Sequence, residues 1–438
     1  LLLPLTSLVL ALAVGQAAET AAPVEEEAAV AEAVPGSTAD GIAGPPGIPF
    51  VPMVGAPLQN ERGVFLDVAL LSEVRARSLA VSDGSTTWGS ELDVTPGIAL
   101  EVGGSGVSLS LGYAPRLTVP FDASGSSLAV LNRATARVAW QASPHWSLSG
   151  AGIFVVGDYS QLVPASTPGG SGPPPPVFNP VRSFETYPYV GIDTLATVDG
   201  ILSQRTRLRL SAGYFDVGGT GAVGEANQPR TWGPQADGIL AWAASRTATL
   251  TTAVRGQNWI FADSASIMLG TLTEAWTQAW SADLDTTLTA GLGVSNREVE
   301  TQAALGKVVP VVRLGLGYRL ESTQRVTLSV EAALAPYVDT YAAIPYQRFT
   351  VNATLDWRPS DAWRVGASLA FALAPYTLKV PESYGTAGLS ASYAPLKFLI
   401  LTLGGFSQSQ FQGETAGGGA FRQWTGYFSL TLHDRLQL

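Results

Sequence analysis

From Gly63 onward, apolar and polar residues alternate with a period of two. Val107, Leu109, Leu111 and Tyr113 alternate with Ser108, Ser110, Gly112 and Ala114. Val326, Leu328 and Val330 alternate with Thr327, Ser329 and Glu331. A period of two puts successive side chains on opposite faces, so each such run predicts a strand with one apolar and one polar face. Sandwiches share that pattern, and connector lengths separate the two cases. Short connectors fall at Gly103–Gly106, Ala142–His145, Thr197–Gln204, Ala244–Thr247, Asp285–Thr286, Glu321–Gln324, Pro359–Ala362 and Ala394–Lys397. Between them lie longer polar or Gly/Pro-rich loops near residues 79–87, 120–127, 157–183, 216–231, 261–273, 296–307, 337–345, 374–383 and 407–420. Tight turns on one side and long loops on the other predict an all-β chain, a transmembrane antiparallel up-and-down β-barrel of about 18 strands. Strands near 235–243, 274–284 and 384–393 alternate weakly, which leaves 16 strands as the alternative count. Both ends of the barrel then lie on the short-turn side.

Aromatic placement agrees with this pattern. Trp140 and Trp146, Trp357 and Trp363, and Tyr393 and Phe398 flank short turns. Trp88, Phe121, Trp232, Trp259, Trp276, Tyr337, Tyr346, Tyr384 and Trp424 are expected at the opposite strand ends. Two belts of amphipathic rings match the interfacial girdles of membrane barrels.

Composition changes the picture in two places. Of 438 residues, 46% are hydrophobic and only 14% charged, with 47 Gly, 11 Trp and no Cys. Such a charge fraction is low for a soluble protein. Beyond residue 17, no apolar run is long enough for a membrane helix. The absence of cysteine excludes disulfides, thiolate metal sites and a lipoprotein anchor. Leu1 to Val14 is apolar and Gly15-Gln16-Ala17 is a small-x-small cleavage pattern, so residues 1–17 read as a signal peptide that begins upstream. Residues 18–60 are rich in Ala, Pro and Glu, carry six acids (Glu19, Glu25, Glu26, Glu27, Glu32, Asp40) and no base, and predict a disordered periplasmic segment. The net charge of −10 therefore sits largely in that tail, and residues 61–438 are expected to form the barrel.

With those features assembled, the chain resembles a Gram-negative outer-membrane β-barrel of the porin-like kind over roughly residues 63–438. The match is one of pattern and not of motif. The sequence departs from that class in ending Leu436-Gln437-Leu438, where an aromatic residue is usual. The resemblance implies location in the cell outer membrane and contact with its lipid and lipopolysaccharide.

Charge on the lipid face at mid-membrane costs about 2–4 kcal/mol for Arg, so charged residues on the polar face point inward. Candidate pore-lining residues are Glu73, Arg75, Asp93, Arg116, Arg133, Arg137, Arg205, Arg207, Arg209, Arg255, Arg313, Arg319 and Glu331. Arg205-x-Arg207-x-Arg209 would stack three guanidinium groups on one wall. Either it forms an anion track, or it is braced by acids on neighbouring strands, Glu185, Asp193 and Asp237. Glu91 and Asp93 are expected to meet Arg75, Arg77 or Arg116. Gly219-Thr220-Gly221-Ala222-Val223-Gly224 matches a dinucleotide-loop pattern but is read as a flexible external loop, since no helix is expected after it. His145 and His433 are the only histidines, and no catalytic, metal or cofactor site is expected.

The function read from these features is passive diffusion of small hydrophilic solutes, with a weak preference for anions. One alternative is a non-conducting surface or structural barrel, or the membrane subunit of an export complex. Another is a channel for hydrophobic substrates in which residues 47–54 form a hatch. Partners left open are a second copy of the chain and a periplasmic protein bound to residues 18–60. Neither enzymatic activity nor nucleic-acid binding is expected.

Overall fold

The computed structural model describes residues 63–80, 86–121, 128–160, 186–262, 265–299, 302–303, 307–320, 325–339, 343–373, 383–412 and 422–438. The expected leader and tether, with the hatch segment, the Pro173–Pro176 loop and Glu185, lie outside these residues. Within them the chain is a closed antiparallel barrel of 18 strands.

The first half of the wall comprises β1 (Gly63–Ala80), β2 (Thr86–Gly103), β3 (Val107–Pro120), β4 (Ala129–Ser143), β5 (Trp146–Ser160), β6 (Thr186–Ser203), β7 (Thr206–Gly219), β8 (Thr231–Ala243) and β9 (Ala248–Phe261). The second half comprises β10 (Ser266–Ala279), β11 (Leu284–Val299), β12 (Lys307–Leu320), β13 (Val326–Asp339), β14 (Ile344–Ser360), β15 (Trp363–Leu373), β16 (Ser383–Leu396), β17 (Leu399–Gln412) and β18 (Arg422–Gln437). Each strand pairs antiparallel with its sequence neighbours, and β18 closes the ring on β1 from Phe65↔Gln437 to Ala80↔Arg422. Pro115, which has no N–H to donate, interrupts β3 between Tyr113 and Arg116. A two-residue rung at Gln302–Ala303 continues the β11–β12 hairpin.

Alternation decides which face is outside. Val68, Val74, Ile98, Leu111, Val138, Leu272, Leu292, Leu314 and Phe428 are exposed on the outer face. The residues between them, among them Glu73, Arg75, Asp93, Ser110, Arg133 and Thr271, are buried on the inner face. The outer face is not free of charge. Glu274 stands on the outer face between Leu272 and Trp276, where its carboxylate accepts a hydrogen bond from Thr252 Oγ1 at 2.8 Å.

Four expectations are corrected. Residues 261–273 are not a loop, since β10 begins at Ser266. Strand β6 runs through Thr197 to Ser203, leaving a turn at residues 204–205. The next turn but one lies at residues 280–283, ahead of the expected Asp285–Thr286. The external loop after β7 holds a short helix, α1 (Gly221–Asn227). Gly219 and Gly224 let two backbone segments touch there, because a Cβ on Gly219 would lie 2.0 Å from Gly224 O.

The aromatic belts are partly as expected. Trp140, Trp146, Trp357, Trp363, Trp88 and Trp424 are exposed on the outer face at strand ends. Trp276, however, lies at the short-turn end of β10, and Trp259 faces inward, 1% exposed.

Candidate functional site

The inner wall is layered, and each layer follows from which residues the strands bring to one height. In the short-turn half, hydroxyl groups pair across neighbouring strands. Thr197 Oγ1 lies 3.2 Å from Ser211 Oγ, Thr277 Oγ1 3.1 Å from Thr287 Oγ1, Ser329 Oγ 2.6 Å from Thr354 Oγ1, and Ser392 Oγ 3.0 Å from Thr402 Oγ1. These pairs occupy four separated positions around the ring and add hydroxyl groups to its lower half, beside ion pairs such as Arg209–Asp199.

Ionic clusters share the inner wall with these hydroxyl pairs. On β1–β3, Asp93 accepts from Arg116 Nε at 3.0 Å and Nη2 at 2.6 Å, from Thr118 Oγ1 at 2.5 Å, and lies 3.1 Å from Arg75 Nη1. Arg75 also bonds Glu73, and Arg77 Nη2 reaches Glu91 Oε2 at 3.3 Å. Arg435 of β18 extends the group to Glu101 at 3.0 Å and Asp67 at 3.7 Å across the closing seam. The cluster thus pairs opposite charges within a buried patch, where an unpaired ion would be costly. Elsewhere Arg313 faces Glu331 at 3.5 Å, and Arg364 clamps Asp356 with Nε at 2.9 Å.

The arginine ladder resolves into different environments. Arg209 Nε donates to Asp199 Oδ1 at 2.7 Å, a partner hidden from sequence reasoning because Asp199-Gly200 was assigned to a turn. Gly200 is there for space, since a Cβ would lie 2.5 Å from the Trp146 ring. Of the acids expected to brace the ladder, Asp193 instead accepts from Gln235 Nε2 at 3.0 Å. Asp237 sits opposite Arg255 in register. Arg207 is on the inner face of β7, whereas Arg205 lies in the exposed turn after β6 and not on the wall. Arg133 is inward and buried. Arg319 lies in β12, with its side chain outside the described residues. Arg137 is inward, exposed, and has no carboxylate partner among the described residues.

Arg137 is therefore the base whose charge acts on the lumen. Arg137→Glu is expected to raise the cation-to-anion permeability ratio by roughly two- to fivefold, read as a reversal potential across a salt gradient in a planar bilayer. An unchanged reversal potential would remove Arg137 from the conducting surface.

At the rims the ion pairs are solvent-facing. Arg325 bonds Asp361 in a short turn and holds its carboxyl below the ordinary carboxylate range. Arg230, in the loop before β8, donates to both oxygens of Asp216 at 2.8 and 2.7 Å, and that bond raises its pKa.

Two apolar clusters lie on the long-loop half of the inner wall between β4 and β10. Leu131, Val155, Tyr159, Tyr187 and Tyr189 form one buried cluster. Tyr159 stacks on Tyr189 with centroids 4.8 Å apart, and Tyr187 Oη donates to Gln228 just after α1 at 2.9 Å. Phe215, Val217, Trp259, Phe261, Ile267 and Leu269 form a second cluster with Val338 and Ala343. Inner-face side chains at this height are packed together.

A closed barrel with an apolar outer band, tryptophan girdles, short turns on one side and a polar inner wall defines an outer-membrane β-barrel of the channel and transporter class. Residues 62–405 match the EpsX exopolysaccharide export family, and the chain belongs to that family.

No curated protein sequence matches the chain. Among solved structures it is similar to the FrpB iron transporter of Neisseria meningitidis (F3-3 variant), at 9% identity and a TM-score of 0.48. That match covers 80% of this chain and 62% of the transporter, so this chain spans less than two thirds of its length. It is also similar to Pseudomonas aeruginosa OpdQ (9% identity, TM-score 0.45, 85% and 98% covered). A third similar structure is OccK2 (OpdF) of the same organism (12% identity, TM-score 0.45, 84% and 98% covered).

Proposed function

We propose that the barrel is the conduit through which an exopolysaccharide crosses the outer membrane from the periplasm. The observation that carries this reading is the ring of cross-strand hydroxyl pairs in the short-turn half, together with the family to which the chain belongs. A polysaccharide presents hydroxyls at every residue, and a wall of Ser and Thr exchanges hydrogen bonds with it without trapping it. The ion pairs suit the same role, because charges paired with one another exert little net field on a passing chain. Residues 73, 75, 93, 116, 133, 137, 207, 209, 255, 313 and 331 then line or brace the conduit, which performs no covalent chemistry.

The test is a cell lacking this protein. Polysaccharide is expected to disappear from the surface and accumulate in the periplasm, and to return when the intact gene is restored. Undiminished surface polysaccharide would sink the reading and return the barrel to the diffusion of small solutes.

A further inference from the structure

The wall parts between β12 and β13. Strand β12 pairs with β11 from Lys307 down to Tyr318, but among the described residues its pairing with β13 stops at Val312↔Leu334. Above that rung β13 and β14 stay paired with each other, through Tyr337↔Tyr346 and Val338↔Pro345, and leave the wall together. The hairpin turns inward across β12. Pro336 rests over Gly293 of β11, where a Cβ would lie 2.9 Å from the proline Cγ. Gln347 Nε2 of β14 donates to Pro310 O of β12 at 2.8 Å. Val338 and Ala343 end in the apolar cluster with Trp259, Ile267 and Leu269. The sequence itself builds the interruption, because Pro310 and Pro336 offer no N–H with which to continue the ladder.

We propose that the β13–β14 hairpin is the gate of the conduit, seen here in its closed position. The inference rests on the conduit reading and supplies its regulation. The closed position is held by apolar contact and the Gln347–Pro310 hydrogen bond, not by a strand ladder, so leaving it breaks no sheet. It also carries a cost. The indole N–H of Trp259 and both amide atoms of Gln257 are buried, 1% and 4% exposed, with no hydrogen-bond partner among the described residues, which raises the free energy of the folded-in state. Swinging the hairpin outward uncovers these groups to water or saccharide hydroxyls and clears the long-loop mouth above β9–β11. A closed state that carries its own penalty is the kind a passing polymer can displace.

The chain has no cysteine, so Gly293→Cys combined with Pro336→Cys introduces a single thiol pair at a separation suited to a disulfide. Full-length protein carrying both changes is reconstituted in a planar bilayer, oxidised, recorded, then reduced with a thiol. Low conductance when oxidised and an increase of at least about fivefold on reduction are expected, with the single-cysteine variants indifferent to either treatment. A cross-link verified by mass with conductance unchanged on reduction would overturn the gate, as would failure of the pair to cross-link at all. Val338→Asp provides a second reading, because a buried carboxylate should expel the hairpin and raise the open fraction without oxidant. An open fraction equal to wild type would likewise count against the gate. A barrel silent in every form, Val338→Asp included, would instead overturn the conduit reading.

Discussion

Replacing Asp93 by alanine is expected to lower the unfolding free energy of the barrel by about 3–5 kcal/mol. Asp93 is 3% exposed and accepts from Nε and Nη2 of Arg116, from Thr118, and from Arg75 across the β1–β2 pair. Without it, the Arg116 and Arg75 guanidinium groups share a buried patch with one carboxylate fewer. Breaking a buried pair from one side costs more than the pair contributed, because the surviving ion stays desolvated. Asp361→Ala in the exposed turn should change stability by less than about 1 kcal/mol. Urea midpoints of the two variants in lipid vesicles, followed by heat-modifiable gel mobility, make the comparison. Equal midpoints would mean that the β1–β3 cluster is solvated and contributes no more than a surface pair.

Gly233→Val is expected to be more damaging still, preventing β8 from closing on β9. A Cβ at Gly233 would stand 1.8 Å from Asn258 O, a backbone atom that cannot rotate away. The rungs on either side, Gln235↔Gln257 and Trp232↔Ile260, hold the two strands at that spacing. Relief requires parting the strands, and unpaired backbone groups in a membrane wall find no water. A cost above about 4 kcal/mol follows, read as loss of the heat-modifiable folded band after refolding. Gly256→Ala is the control, since a Cβ there meets nothing within 4 Å. Wild-type yield from Gly233→Val would show that β8 and β9 are not packed as described.

Much of the architecture was legible because a membrane barrel advertises itself through alternation. The strands β1–β4 carry Glu73, Arg75, Asp93 and Arg116 on one face and mostly apolar residues on the other, so both their orientation and their partners could be read directly. The alternation failed at Ile267-Met268-Leu269, at Trp259-Ile260-Phe261, and around Phe215 and Val217. These segments are apolar on both faces because the inner face is also packed, against the β13–β14 hairpin and its neighbours. A period of two presumes water on one side. Where the interior is filled, the strand loses its signature, and the first half of β10, Ser266–Thr273, reads as a loop for that reason. Asp199 was missed differently. Asp-Gly is a strong turn signal, and only the ring of Trp146 lying over Gly200 shows that this glycine sits in a strand to make room. The inward fold of the hairpin could not be read at all, although Pro310 and Pro336 were its two visible marks.

Those prolines bear on the life of the protein among its neighbours. A closed barrel normally has no free strand margin, and so gives other chains no template for pairing. The parted seam at the top of β12 creates such a margin in a crowded membrane of similar barrels. Proline at position 310 withholds a donor there, and Gln347 occupies the acceptor beside it. The wall can therefore stay parted without offering a strand of another barrel a place to add on, and a breach that would otherwise invite aggregation is left inert.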